Sequence, residues 1–313
     1  MSRPFQTRVL SAWDYRQGDL SEFCLPFEAD REALAESLLA VRKKYALRVP
    51  VDRVEEGNIV TLRCRSEKAK FQRESVKINV GKGLYSKELE SQLPGLAVGD
   101  ERELTVGGAA VAVRVLQVER TVLPELTDEF VSEHFQTVRT RGELEAWYVD
   151  AQREDYLRQQ ADRAAEELKA QALKKSVINV DEDERRGARA AGERILREQW
   201  IRNGLPLEEM TDEQAAELTG FSSAQEFIDW FAGLSEAEVS AAALGYELLL
   251  AEGREPTEER WREALRRMKE EEGIAEKELS EYTLPVYARQ ISAEHYHDTL
   301  AEYAYQIIKE NLS

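Results

Sequence analysis

The sequence predicts an α+β chain: a small antiparallel sheet domain with one short helix on a face, followed by a large all-α part with arm-like helices. Between residues 57 and 122, four stretches (GNIVTLRCRS, SVKINVG, DERELTV and AAVAVRVLQVERTV) alternate apolar and polar residues or run β-branched, the period of half-buried strands. After Phe130 the apolar residues fall at helical spacing instead. The third observation is the seam between the two, VLPELTDEFV at 122–131. Pro124 cannot donate to a ladder and ends the last strand. Thr127 then reads as an N-cap, with Asp128 and Glu129 in a first turn where the helix dipole favours acids.

Residues 1–28 show no clear period. From Asp30, REALAESLLAVRKKYA sets Leu34, Leu38, Val41 and Tyr45 on one side of an amphipathic helix, and Pro50 and Glu55-Glu56-Gly57 break the chain after it. Between the second and third strands one short helix is predicted over Ser86–Leu93, with Leu89 and Leu93 on a face and Pro94-Gly95 as its stop. Over 141–178 a stripe of Leu144, Trp147, Ala151, Leu157, Ala161, Ala164, Leu168 and Ala172 is narrow and alanine-rich, the pattern of an arm or bridge rather than a core helix. Further helices are predicted at 181–203, 211–219, 223–232, 235–252, 257–273, 275–290 and 292–311. Glycines and prolines bound them, and Thr211, Ser223, Ser235, Thr257 and Ser292 cap them. The domains expected are an N-terminal segment with a linker helix (1–49), the sheet domain (50–122) and the helical domain (123–313).

Composition excludes several function classes. The chain has 313 residues, 42% hydrophobic and 33% charged, with a net charge of −18. The pI is about 4.9 and the mean hydropathy −0.55. Phosphate binding needs a basic stripe, so nucleic acid is not an expected partner, and no basic amphipathic segment points to a membrane surface. The first twenty residues contain no apolar run of signal-peptide type, and AAALGYELLLA, with Gly245 and Glu247 inside it, is too short to span a bilayer. Cys24 and Cys64 stand in no C-x-x-C pattern and suit small hydrophobes of a reducing compartment, so a cytoplasmic location is expected. No Ser/His/Asp, Cys/His or phosphate-loop arrangement occurs. His295 and His297 are two apart and so point to different sides of a helix, which predicts no metal site; no cofactor is expected.

The runs GNIVTLRC, SVKINVG, ESQLPGLAVGDERELTV and VRVLQVERTVLPELTDEFV resemble bacterial trigger factor, in its FKBP-type prolyl isomerase domain and the helical domain after it. LPELTDEF is similar to that family's junction between isomerase and helical chaperone domains, QLPGLAVGDE to its glycine turn, and AEYAYQIIKENLS to its C-terminal helix. The resemblance covers roughly residues 29–313. It implies an FKBP-like sheet domain joined to a helical chaperone domain, with unfolded or nascent polypeptides as partners. The family's ribosome-docking loop, Gly-Phe-Arg-Lys-Gly-Lys, is found nowhere in this sequence, so ribosome binding is not expected.

The same resemblance assigns a prolyl pocket to Phe71, Val76, Tyr85, Leu89 and Val111. An FKBP-type site works through its walls, a dry cup that favours the twisted amide over a barrier of ~20 kcal/mol. Here the family's Ile-Pro-Gly-aromatic segment is Ser86-Lys87-Glu88-Leu89, its Asp-aromatic pair is Arg63-Cys64, and its long flap is Gly107-Gly108. With floor and flap altered, the pocket is expected to be degenerate. Phe71 and Tyr85 are equally readable as core residues of a small sheet. Phe221, Phe227, Trp230 and Phe231 form an aromatic cluster, read either as a helix–helix core or, for Phe227, Trp230 and Phe231, as client-binding residues. The expected function is ATP-independent holding of unfolded polypeptides. The alternatives are an active peptidyl-prolyl cis–trans isomerase and a dedicated assembly partner of one protein.

Overall fold

The computed structural model describes residues 3–274 and 276–312. Met1, Ser2, Ala275 and Ser313, which belong to the predicted N-terminal segment, the 275–290 helix and the closing segment, lie outside the described residues. In chain order the elements are β1 (Arg8–Ser11), α1 (Arg31–Lys44), β2 (Leu47–Pro50), β3 (Ile59–Arg65), β4 (Arg73–Asn79), α2 (Lys87–Glu90), β5 (Glu101–Val106), β6 (Ala109–Val122), α3 (Asp128–His134), α4 (Arg141–Lys175), β7 (Val177–Asn179), α5 (Glu182–Arg202), α6 (Asp212–Thr219), α7 (Ala224–Ala251), α8 (Glu258–Glu270), α9 (Glu276–Glu281) and α10 (Leu284–Leu312). The fold is α+β. Its contacts divide it into two units, one of Ala29–Gln152 and one of Met1–Glu28 with Arg153–Ser313. The sequence pattern places its boundaries elsewhere, after residues 49 and 122.

In the sheet unit the strand order is β2-β6-β3-β4, with β5 also paired to β6, and every pairing is antiparallel. The long β6 serves three partners because its inward residues Val111, Val113 and Val115 meet Leu62 and Cys64 of β3 in one core, which Leu89, Leu93 and Leu96 close from the α2 side. The edge strand β2 is not legible in the sequence, because Pro50 reads as a breaker. Val51 donates to the Val118 carbonyl at 3.0 Å. Antiparallel bonds alternate, so the nitrogen of Pro50 faces away from β6, where its missing N–H costs no ladder bond. The predicted Ser86–Leu93 helix is only the single turn of α2, its N-cap Ser86 accepting from Leu89 at 3.3 Å. A smaller cluster of Val131, Val138 and Leu144, with Leu38, Phe130 and Phe135 against it, joins α1, α3 and the first part of α4.

In the helical unit, Leu157, Ala161, Ala164, Leu168 and Ala172 of α4 are buried with Tyr296, Leu300, Ala304 and Ile308 of α10. The stripe is therefore core from Leu157 onward rather than a free arm, and the helix expected as an arm or bridge is shared by the two units, which divide after Gln152. Trp147 and Ala151, predicted on the same stripe, are exposed. Residues 3–28 are not idle. β1 pairs with β7, Tyr15, Leu20 and Phe23 enter the α4–α10 core, and Phe5 is buried against Ala243, Tyr246 and Ala288.

Two predicted helix breaks do not occur. α7 runs through Gly233 and Ser235, and α10 runs through Ser292. Ser235 turns its hydroxyl back onto the Phe231 carbonyl at 3.3 Å instead of capping a new helix. Ser292 is fully buried where α10 crosses α7 at Gly245. Tertiary packing on both sides of each position overrides the local breaker signal.

Candidate functional site

The five residues of the predicted prolyl pocket come together in the sheet unit. Phe71, Leu89 and Val111 are buried members of the core, with Leu89 and Val111 at 0% exposure, and Val76 and Tyr85 pack against it half-buried. Phe71 comes from a short turn before β4, and the Lys70 ammonium sits 4.8 Å from its ring centre. Leu89 stands on α2. β5 and β6 are joined by Gly107 and Gly108 alone, both at positive φ (57° and 68°), in a two-residue hairpin turn.

The loop carrying Tyr85 is held by Glu90. Its carboxylate, 1% exposed, accepts the backbone N–H groups of Gly83 (2.6 Å), Tyr85 (3.0 Å) and Ser86 (3.3 Å). Burial on its own would raise this carboxyl, but the backbone donors outweigh it and hold the group below the usual carboxylate range. Tyr85 lies near Cys64 and Arg73. Burial and then the neighbouring Cys64 push its phenol up, Arg73 opposing, and its hydroxyl is buried with no hydrogen-bond partner among the described residues. The arrangement is a shaped apolar cluster. Nothing in it is a nucleophile–base pair.

The second candidate lies on the helical unit. Phe227 and Trp230 of α7 stack nearly parallel (6.1 Å, 19°), Phe221 leans on both (5.5 and 5.2 Å), and Trp200 of α5 meets Phe227 edge-on at 6.0 Å. Trp230 is 48% exposed, and Leu234, one helical turn on, 46%. Phe227 and Phe231 instead pack partly onto the Leu196–Ile228 cluster. The base of this cluster belongs to a helix–helix core, and Trp230 projects from it. Trp200 was not legible as a member, because nothing local places the end of α5 beside Phe227. Between Arg202 and Arg254 the sequence contains no lysine, arginine or histidine, and the cation beside this aromatic surface comes from α5, where Arg189 pairs with Asp229 (2.6 Å) and Glu236 (3.0 Å). The histidine pair of α10 divides as its spacing requires, His295 to Glu252 (3.1 Å) and His297 to Glu166 (3.2 Å).

No protein-family model matches the chain. Trigger factor of Aquifex aeolicus (strain VF5) is 29% identical to it over 124 residues, 34% of this chain and 26% of that protein. The chain therefore spans about a quarter of the length of this relative. A solved structure reported for promiscuous substrate recognition in folding and assembly activities of the trigger factor chaperone covers 99% of this chain and 79% of its own, at a TM-score of 0.41 and 13% identity. That superposition is too loose to establish structural equivalence. No described helix is long and apolar enough to cross a membrane. The sequence match makes about a third of this chain similar to a trigger factor.

Proposed function

We propose that this protein is a trigger-factor-like chaperone of the cytoplasm that holds unfolded polypeptides without ATP, chiefly through its helical unit. The observation that carries the reading is the Phe221–Phe227–Trp230 stack, rooted in a core and half open to solvent at Trp230. Aromatic surface fixed by packing offers apolar area to a client at little entropic cost. The net charge of −18 keeps the loaded complex soluble. The sheet unit is read as an FKBP-type domain whose prolyl cup has closed: Leu89 replaces a floor aromatic and is itself buried, and two glycines replace the flap.

The test is suppression of aggregation of a refolding client by the full chain without nucleotide, wild type against Trp230→Ala. Trp230→Ala also removes the ring contacts with Phe221 and Phe227, so the two proteins are compared at a temperature where thermal melts show both folded. The expected result is suppression by the wild type and a several-fold higher chaperone requirement for the variant. Equal suppression by both would remove this surface from the reading.

A further inference from the structure

The segment 3–28 lies on the helical unit as a bound peptide would. Its main chain is read by side chains of the body. Glu184 accepts the N–H groups of Gln6 (2.7 Å) and Thr7 (3.0 Å), and Ser176 accepts that of Trp13 (2.9 Å). Tyr303 donates to the Arg16 carbonyl (3.2 Å) and Tyr156 to the Leu25 carbonyl (3.0 Å). β1 adds a short antiparallel strand to β7, with a register shift between Val9 and Ser11. Specificity is left to a few anchors. Phe5, 2% exposed, sits edge-on to Tyr246 at 5.1 Å beside Ala243 and Ala288, while Tyr15 and Phe23 are buried against α4 and α10. When an extended polypeptide is bound, main-chain bonds supply affinity and pockets for spaced side chains supply specificity. Of its own structure the segment has two single 3-10 turns and one four-residue strand.

We infer that this groove is a polypeptide-binding site held in the resting protein by residues 3–28, and that an extended, aromatic-bearing client segment takes it by displacing them. The ligand class rests on the chaperone reading; the groove and its occupant do not. Lifting the segment uncovers the Tyr246 pocket and the apolar side of α4 and α10, so client binding and release of residues 3–28 are one exchange. A tethered occupant competes at an effective concentration on the order of millimolar, which keeps the site closed to weak or scarce ligands.

The test uses the full chain with Val9→Cys and Ile178→Cys in a Cys24→Ser background. The two positions are direct cross-strand partners, the separation that a disulfide spans. The probe is a fluorescein-labelled peptide of residues 3–28 with serine at position 24. The reduced protein is expected to bind it saturably, and the oxidised form, with its own segment locked, to lose at least about tenfold in apparent affinity. Phe5→Ala, which weakens the resident segment, is expected to bind the peptide more tightly than wild type. Equal binding by oxidised and reduced forms, or none even by Phe5→Ala, would overturn the inference. Peptide exchange without any suppression of client aggregation would refute the chaperone reading and leave the groove standing. Suppression that is equal in locked and reduced forms, with no peptide exchange in either, would refute the groove and leave the chaperone reading.

Discussion

Gly245→Ala is expected to destabilise the helical unit, although alanine is the better helix former. Both Gly233 and Gly245 lie inside α7, so replacing either by alanine adds about 1 kcal/mol of helix propensity. A Cβ at Gly233 meets nothing within 4 Å. At Gly245 it would stand 2.9 Å from Tyr296 Cβ and closer still to the Ser292 carbonyl oxygen, a backbone atom of α10 that no rotamer change moves aside. The helices must separate, and the loss falls on Leu244, Tyr296 and Leu300, all under 4% exposed. Overpacking of this kind costs about 1–3 kcal/mol, and the forced gap also forfeits dispersion contacts along the crossing. The net expectation is a loss of about 2 kcal/mol, or roughly 4–8 °C in Tm for a unit of this size. Thermal melts followed by far-UV circular dichroism read it directly, with Gly233→Ala as the control expected to melt at or slightly above wild type. A Gly245→Ala protein as stable as wild type would refute the close crossing of α7 and α10.

Glu90→Gln puts an amide nitrogen against at least one backbone donor of the 83–86 loop and is expected to destabilise the sheet unit by about 1–3 kcal/mol at neutral pH, measured by urea unfolding. Because the folded carboxyl is held low, its contribution is present above the unfolded value and lost as pH falls through the folded one. The gap between wild type and variant therefore narrows in acid; a gap that widens would contradict the assignment. In a protease-coupled prolyl tetrapeptide assay the full chain is expected to fall far below an intact FKBP-type domain in kcat/KM. A comparable value would reinstate a working isomerase. At −18 net charge, the protein is expected not to co-sediment with ribosomes at physiological salt, and saturable, salt-sensitive co-sedimentation would reveal a docking site.

Where local chemistry and period agree, the sequence was sufficient. β6 has its predicted bounds, α4 runs from Arg141 as expected, and Thr127, Thr211, Ser223 and Thr257 each accept the N–H three residues on, as caps do. What escaped depends on distant partners. β1 and β7 are too short to show a period and exist because each supplies the other's ladder. Gly233 and Ser292 look like breaks because propensity sees only neighbours in sequence, whereas Ala232, Val239 and Leu300 hold the helices through them. The prolyl-pocket residues were named through a resemblance, and the pattern alone cannot tell a cup wall from a core residue. Phe227 and Trp230 were legible as an aromatic pair. Their division between buried base and exposed tip is set by α5, far away in sequence.

The central claim is that clients are held by the helical unit. Hydrogen exchange of the full chain, alone and saturated with a permanently unfolded client, tests it most directly. The account predicts new protection across residues 218–234, around Trp230, with the 71–89 region of the sheet unit unchanged. Protection confined to the sheet unit, with residues 218–234 exchanging as in the free protein, would contradict it.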